Sequence, residues 1–266
     1  MLPGFVRLGL LIVLPALLSR LATHKVRPPI AAIARGDGEA PDASASAPRP
    51  RRRGRGAAPR LAPPSAALYE SAKHFRRAQR RRNGPVEAES LLRAAASLMP
   101  AFRAYGPVIN AAAVKDLIGN EKKLRNLGAG RGAHARDIRS LPLVDEDPTL
   151  PDSATRALFW LNRILLQIAA TFESLVADRD GTVVACATRA YERTMSTYNT
   201  PPQRAFAKML LRVVPDRAGL VACYGFERFD DLEPVCQHWL KAARPVCESI
   251  SCFFDKHPEL KTPRPR

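Results

Sequence analysis

The chain has 266 residues, 46% of them hydrophobic, and 42 Lys and Arg against 25 Asp and Glu give it a formal net charge of +17. That is enough chain for one sizeable core. Its cysteines, Cys186, Cys223, Cys236, Cys247 and Cys252, are odd in number and form no C-x-x-C pair, and its histidines are scattered; a finished disulfide set, a zinc site and a Cys-His nucleophile pair therefore have no support, and free thiols in a reducing compartment are expected.

The N-terminus is apolar from Leu8 to Leu18, broken by Gly9 and Pro15, which is the length of a signal-peptide core and short of a bilayer span. Residues 1–25 thus read as a hydrophobic targeting or anchor-like segment. Cleavage after Ala22 would put Arg20 where a small residue is wanted, and the Arg-rich, acid-poor continuation also fits an organellar transit peptide. If the segment is kept as an anchor, the Arg and Lys after it hold the main domain on the cytoplasmic side. The expected location is the cytosol, peripherally at membranes, with organellar or secretory-pathway targeting left open.

Residues 26–65 read as a disordered basic linker. From 34 onward they are Ala, Pro, Arg, Gly and Ser with almost no large apolar side chains, too little to offset the entropy of ordering. The run from Arg49 to Gly56 lacks interleaved aromatics, so a solvated linker, or one that clings to anionic lipid headgroups, is a better reading than specific nucleic-acid binding.

Residues 66–262 form the compact domain. Tyr69 to Arg82 predicts a helix with a strongly basic face, and Glu87 to Pro100 a second with Leu91, Leu92, Ala95 and Leu98 in helical rhythm. Val114 to Leu127 predicts a helix with Asp116, Asn120 and Lys123 on one face at i, i+4 and i+7. A glycine-rich stretch around Gly128 to Gly132 and an acidic loop from Asp145 to Pro151 precede a long apolar helix, Asp152 to Asp178, capped by Asp152 or Ser153. It carries Arg156, Trp160 and Arg163, again at i, i+4 and i+7. Such a stripe is usually a solvated face, but an indole beside charged groups also fits an amphiphilic ligand.

Val183 to Tyr198 predicts another helix, ended by Asn199-Thr200-Pro201-Pro202, after which Pro202 opens the next. That helix, Gln203 to Val214, puts Phe206, Met209, Leu210 and Val213 on one face, and Leu232 to Asp255 supplies the last. Seven or eight helices, no repeat and few strand signals predict an all-α domain.

Several segments resemble the glycolipid transfer protein family, in order. Leu98-Met99-Pro100-Ala101-Phe102 running to Gly106 is similar to its L-x-P-x-F run, and Asp116, Gly119, Asn120 and Lys123 fall on its D-x-x-G-N-x-x-K helix. Ala157-Leu158-Phe159-Trp160-Leu161-Asn162-Arg163 resembles its A-L-x-W-L-x-R helix, and Ala187 to Glu192 its A-T-x-A-Y-E helix, which leads to a Tyr-His pair. The resemblance covers roughly residues 66 to 260 and implies a two-layer all-helical sandwich enclosing a hydrophobic lipid pocket. It implies sphingolipid binding and transfer between membranes by a monomer that uses no cofactor and is not an enzyme.

By the same resemblance, Asp116 accepts from the ceramide amide and sugar hydroxyls, Asn120 and Lys123 bind the sugar, and Trp160 is the stacking plate. Phe102, Val108, Ile109, Leu165, Phe172, Phe206 and Met209 are candidate chain-lining positions, with ordinary core packing the more frequent role for each. There are two departures. Asn199 stands where the family has a histidine, with Pro201 and Pro202 near where it has a membrane-contacting tryptophan. Arg156 stands where the ceramide-1-phosphate branch has its first phosphate-binding arginine. The headgroup site is thus a hybrid: Asn120 and Trp160 favour a glycosylceramide, whereas Arg156 favours ceramide-1-phosphate.

Overall fold

The structure, a computed structural model, describes residues 64–79, 81, 84–128, 137–144 and 153–260. The targeting segment, all of the linker but its last two residues, and the glycine-rich and acidic loops after residue 128 lie outside the described residues. No strand occurs among those described.

Helix α1 spans Pro64–Ala78 and buries Leu68, Ala72 and Phe75. Helix α2, Ala88–Ala96, starts where the Glu87 carboxylate accepts from the N–H groups of Glu89 and Ser90, filling donors that a helix start leaves unpaired. Pro100, which periodicity reads as a stop, instead stands in the first turn of α3, Met99–Ala104, where its missing N–H costs nothing. Gly106, at a φ of 96°, turns the chain into α4, Pro107–Ala113. The helix then passes through one π-helical turn, Val114–Ile118, into α5, Gly119–Gly128.

The long helix α6, Ala154–Ala177, is capped by Ser153, whose hydroxyl accepts from the Arg156 N–H. Helix α7, Val183–Thr194, is capped by Thr182 and followed by a short 3-10 turn, Ser196–Tyr198. Pro201 rather than Pro202 opens α8, Pro201–Leu211. Helices α9, Arg217–Cys223, and α10, Phe229–Lys256, complete the set. Ten helices among the described residues exceed the seven or eight expected. The excess lies in α3, α4 and α9, which are too short to show two turns of apolar periodicity.

The fold is all-α, its helices laid in two layers over one core. Helix α10 packs against α1 and α6, α6 against α5 and α7, α5 against α2, and α2 against α1, so the contacts close on themselves. Trp239 of α10 lies fully buried at the centre, with Phe75 and Phe172 edge-on at 5.7 and 5.6 Å. Its indole N–H donates to Ser71 (3.0 Å), and the Ser71 hydroxyl donates to the Ala94 carbonyl (2.8 Å). One buried serine thus ties α10, α1 and α2 with no polar group wasted.

Arg217 performs a similar task at the far end of α6. Its guanidinium donates to the carbonyls of Leu175, Asp178 and Gly181, the latter two at 2.7 and 2.9 Å, and lies 4.4 Å from the centre of the Phe229 ring. The α6–α7 turn is held to α9 by carbonyls that the end of α6 leaves open.

Candidate functional site

Asp116 sits in the π-helical turn, so the expected i, i+4, i+7 register with Asn120 and Lys123 is not that of a regular α-helix. The wider turn disturbs the ladder of backbone hydrogen bonds, and the Asn120 side chain responds: its Nδ2 donates to the Asp116 carbonyl at 2.7 Å. The Asp116 carboxylate, by contrast, has no hydrogen-bond donor among the described residues. It is exposed at the surface, with enough protein packed around it to disfavour its charge. Desolvation by that protein raises its pKa, opposed by the Lys115 ammonium. An exposed carboxylate whose ionised form is disfavoured, and which no protein donor holds, is available to a ligand's donor.

The π-turn and α5 both pack on α6, which places Asp116, Asn120 and Lys123 on the helix next to that of Arg156 and Trp160. Trp160 is half-buried, its ring edge-on to Phe159 at 5.7 Å. Phe159 is buried and meets Tyr198 at 4.9 Å. The Arg163 guanidinium rests over both rings, 5.0 Å from Phe159 and 4.7 Å from Tyr198, a cation–π clamp that fixes the turn before Asn199 onto α6.

Asn199 is buried, and its Nδ2 donates to the Tyr191 hydroxyl at 2.9 Å. Its backbone carbonyl accepts from Arg204 (2.8 Å). One amide hydrogen is therefore already committed inside the protein, and the second remains for another acceptor.

The candidate chain-lining residues divide. Leu165 and Phe172 are core side chains, Leu165 with no exposed surface and Phe172 packed on Trp239 and Tyr224. Phe102 is half-buried against the core beside Tyr105. Val108, Ile109, Phe206 and Met209 are half-buried but stand outside the core cluster. They belong to α4 and α8, neither of which buries a single residue fully. Two apolar helices thus keep hydrocarbon surface that the protein's own core does not use.

Two features lay beyond the reach of the sequence reading. One is the π-turn. The other is a hydroxyl pair, Tyr105 to Tyr224 at 2.7 Å, which joins residues 119 positions apart; no local signal encodes it. Burial raises the pKa of both tyrosines, and it pushes the thiols of Cys236 and Cys247 up to about 12, so these cysteines stay protonated and unreactive at neutral pH.

Comparison with known proteins agrees with this architecture. The family model described as glycolipid transfer protein matches residues 86–225, just over half of the chain. No curated protein matches its sequence. Among solved structures, it is similar to that of FAPP2, which selects simple glycosphingolipids using the GLTP-fold (18% identity, TM-score 0.65, covering 75% of this chain and 99% of that one). It is also similar to mouse ceramide-1-phosphate transfer protein in its apo form (16% identity, TM-score 0.65, 76% and 100%) and to the human protein in complex with 12:0 ceramide-1-phosphate (16%, 0.64, 75% and 98%). At these identities the structures establish the fold, and the family match establishes the lineage: the chain belongs to the glycolipid transfer protein family.

Proposed function

We propose that this protein binds a single sphingolipid and moves it between membranes. The observation that carries the reading is the Asp116 carboxylate: crowded, without a donor, and set beside the helix that holds Trp160. A ceramide amide N–H or a sugar hydroxyl would donate to it in place of water. Asn120 and Lys123 would meet the headgroup rim and Trp160 its flat face, with Arg156 beside them for a phosphate. The chains would lie against Val108, Ile109, Phe206 and Met209, each buried methylene contributing about 0.8 kcal/mol. Affinity then comes from hydrocarbon and selection from the headgroup. Glycosylceramide is the first ligand and ceramide-1-phosphate the second, held by a monomer that works in the cytosol, peripherally at membranes.

The bond from Asn199 to Tyr191, together with two prolines at the start of α8, favours a second reading, in which the protein holds its lipid as a sensor or tether and does not pass it on. Vesicle-to-vesicle transfer of fluorescent glucosylceramide and ceramide-1-phosphate, with native mass spectrometry of the purified protein, tests both. Transfer of either lipid supports the first reading; a copurified sphingolipid without transfer supports the second. A protein that neither carries nor moves a sphingolipid would sink both.

A further inference from the structure

The outward stripe of α1 is Tyr69, Glu70, Lys73, Arg76 and Arg77, all exposed. Helix α10 lies against it and extends the surface with His238 and Lys241. The His238 ring stands 5.2 Å from the Tyr69 ring and meets the Arg76 guanidinium through Nε2. Burial, then the charges of Arg76 and Lys241, lowers the His238 pKa, so it faces Arg76 as a neutral ring and offsets no charge. Glu70 pairs with Lys73 at 3.3 Å. Arg76, Arg77 and Lys241 have no carboxylate partner among the described residues, and Asp231 stands two turns back along α10.

Four cations against one carboxylate, with an aromatic ring 48% exposed among them, give this face a positive charge and one amphipathic ring. We infer that this α1–α10 face docks on an anionic bilayer. Lysine and arginine stems can lie along the interface while their heads reach headgroup phosphates, and a tyrosine ring matches the boundary between headgroup and hydrocarbon. The surface is the outer side of two helices and presents a single exposed tyrosine, whereas single-stranded nucleic acid is held in grooves with a series of stacking rings. The face is built from α1 and α10, not from the π-turn and α6 that carry Asp116 and Trp160, and docking there requires no sphingolipid.

The test is cosedimentation of the full chain with phosphatidylcholine vesicles containing or lacking phosphatidylserine, and no sphingolipid. The combined variant Lys73→Glu, Arg76→Glu, Arg77→Glu should lose at least tenfold in partitioning onto the anionic vesicles, while circular dichroism and sphingolipid loading stay as in the parent. In a separate variant, Tyr69→Trp, anionic vesicles should shift the added indole emission to the blue, and lipid brominated on its chains should quench it. Unchanged partitioning of the triple variant would overturn the inference and assign docking to another segment, such as the arginine-rich run of residues 49–56. So would emission from the added indole that is indifferent to vesicles, or a face that retains RNA in preference to anionic vesicles. Failure of lipid transfer alone bears on the proposed function and leaves this face as it stands.

Discussion

Asp116 is the residue whose chemistry is least explained by folding alone. Its pKa is raised by burial, so the folded protein disfavours the ionised form. The cost is present in full above the folded pKa. It fades as pH falls through that value and vanishes below the unfolded value of about 3.9. Asp116→Asn should therefore raise the melting temperature at pH 7, with the gap to wild type closing as pH approaches 4, while sphingolipid binding weakens. A parallel melting series from pH 7 to 3.5 checks this, and a variant no more stable than wild type at pH 7 would remove the idea of a strained binding carboxylate. Trp160, half-buried on α6, should behave in the opposite sense: Trp160→Ala leaves the fold intact and lowers glucosylceramide affinity at least tenfold, with a smaller loss for ceramide-1-phosphate. Competition binding of the two lipids separates a stacking plate from a packing residue. The candidate residues stand out in the sequence as motif matches, but the state of each does not. That Asn199 spends a hydrogen on Tyr191, or that Arg163 is clamped by rings from two segments, depends on contacts that form only when distant helices meet.

Long helices announce themselves through repeated apolar spacing, and α6 and α10 lie within about three residues of their expected bounds. Short ones do not. Six or seven residues give too few apolar positions to fix a period, so α3 and α9 are set by their proline, glycine and aspartate boundaries and by what they pack against. The π-turn was hidden for a different reason: Val114 to Ile118 has an ordinary helical composition, and the extra residue shows only in the backbone bonding. What holds the elements together is equally non-local. Arg217→Ala would remove the donors to three carbonyls at the α6–α7 turn and the stacking on Phe229. Leaving such groups unpaired costs about 1–3 kcal/mol where they stay dry. Urea denaturation should show a loss of about 2–3 kcal/mol in unfolding free energy, with Arg217→Lys recovering only part of it because an ammonium lacks the planar fork and stacks less well. A loss below about 0.5 kcal/mol, the level of an ordinary surface change, would mean that water replaces the arginine freely.

For the whole molecule, the apolar sides of α4 and α8 matter more than any one contact. The core clusters around α1, α2, α6 and α10, so these two helices rest on the domain without being sealed into it. A ligand that fills the space against Val108, Ile109, Phe206 and Met209 would add to the core what the sequence leaves out, and would bind the folded chain alone. At a free concentration 100 times its dissociation constant such a ligand stabilises by about 2.7 kcal/mol. For a domain of this size each kcal/mol moves the melting temperature by roughly 2–4 °C. A short-chain glucosylceramide or ceramide-1-phosphate should therefore raise the melting temperature by about 5–10 °C at saturation, and a diacyl phosphatidylcholine of matched chain length should not. The two sphingolipids also test the proposed headgroup site: a larger shift with the sugar lipid that is lost in Trp160→Ala assigns it to glycosphingolipids, whereas a larger shift with the phosphate lipid that is lost in Arg156→Ala assigns it to ceramide-1-phosphate. Equal small shifts with all three lipids would show that α4 and α8 close on themselves, and that the apolar surface they carry holds no lipid chain.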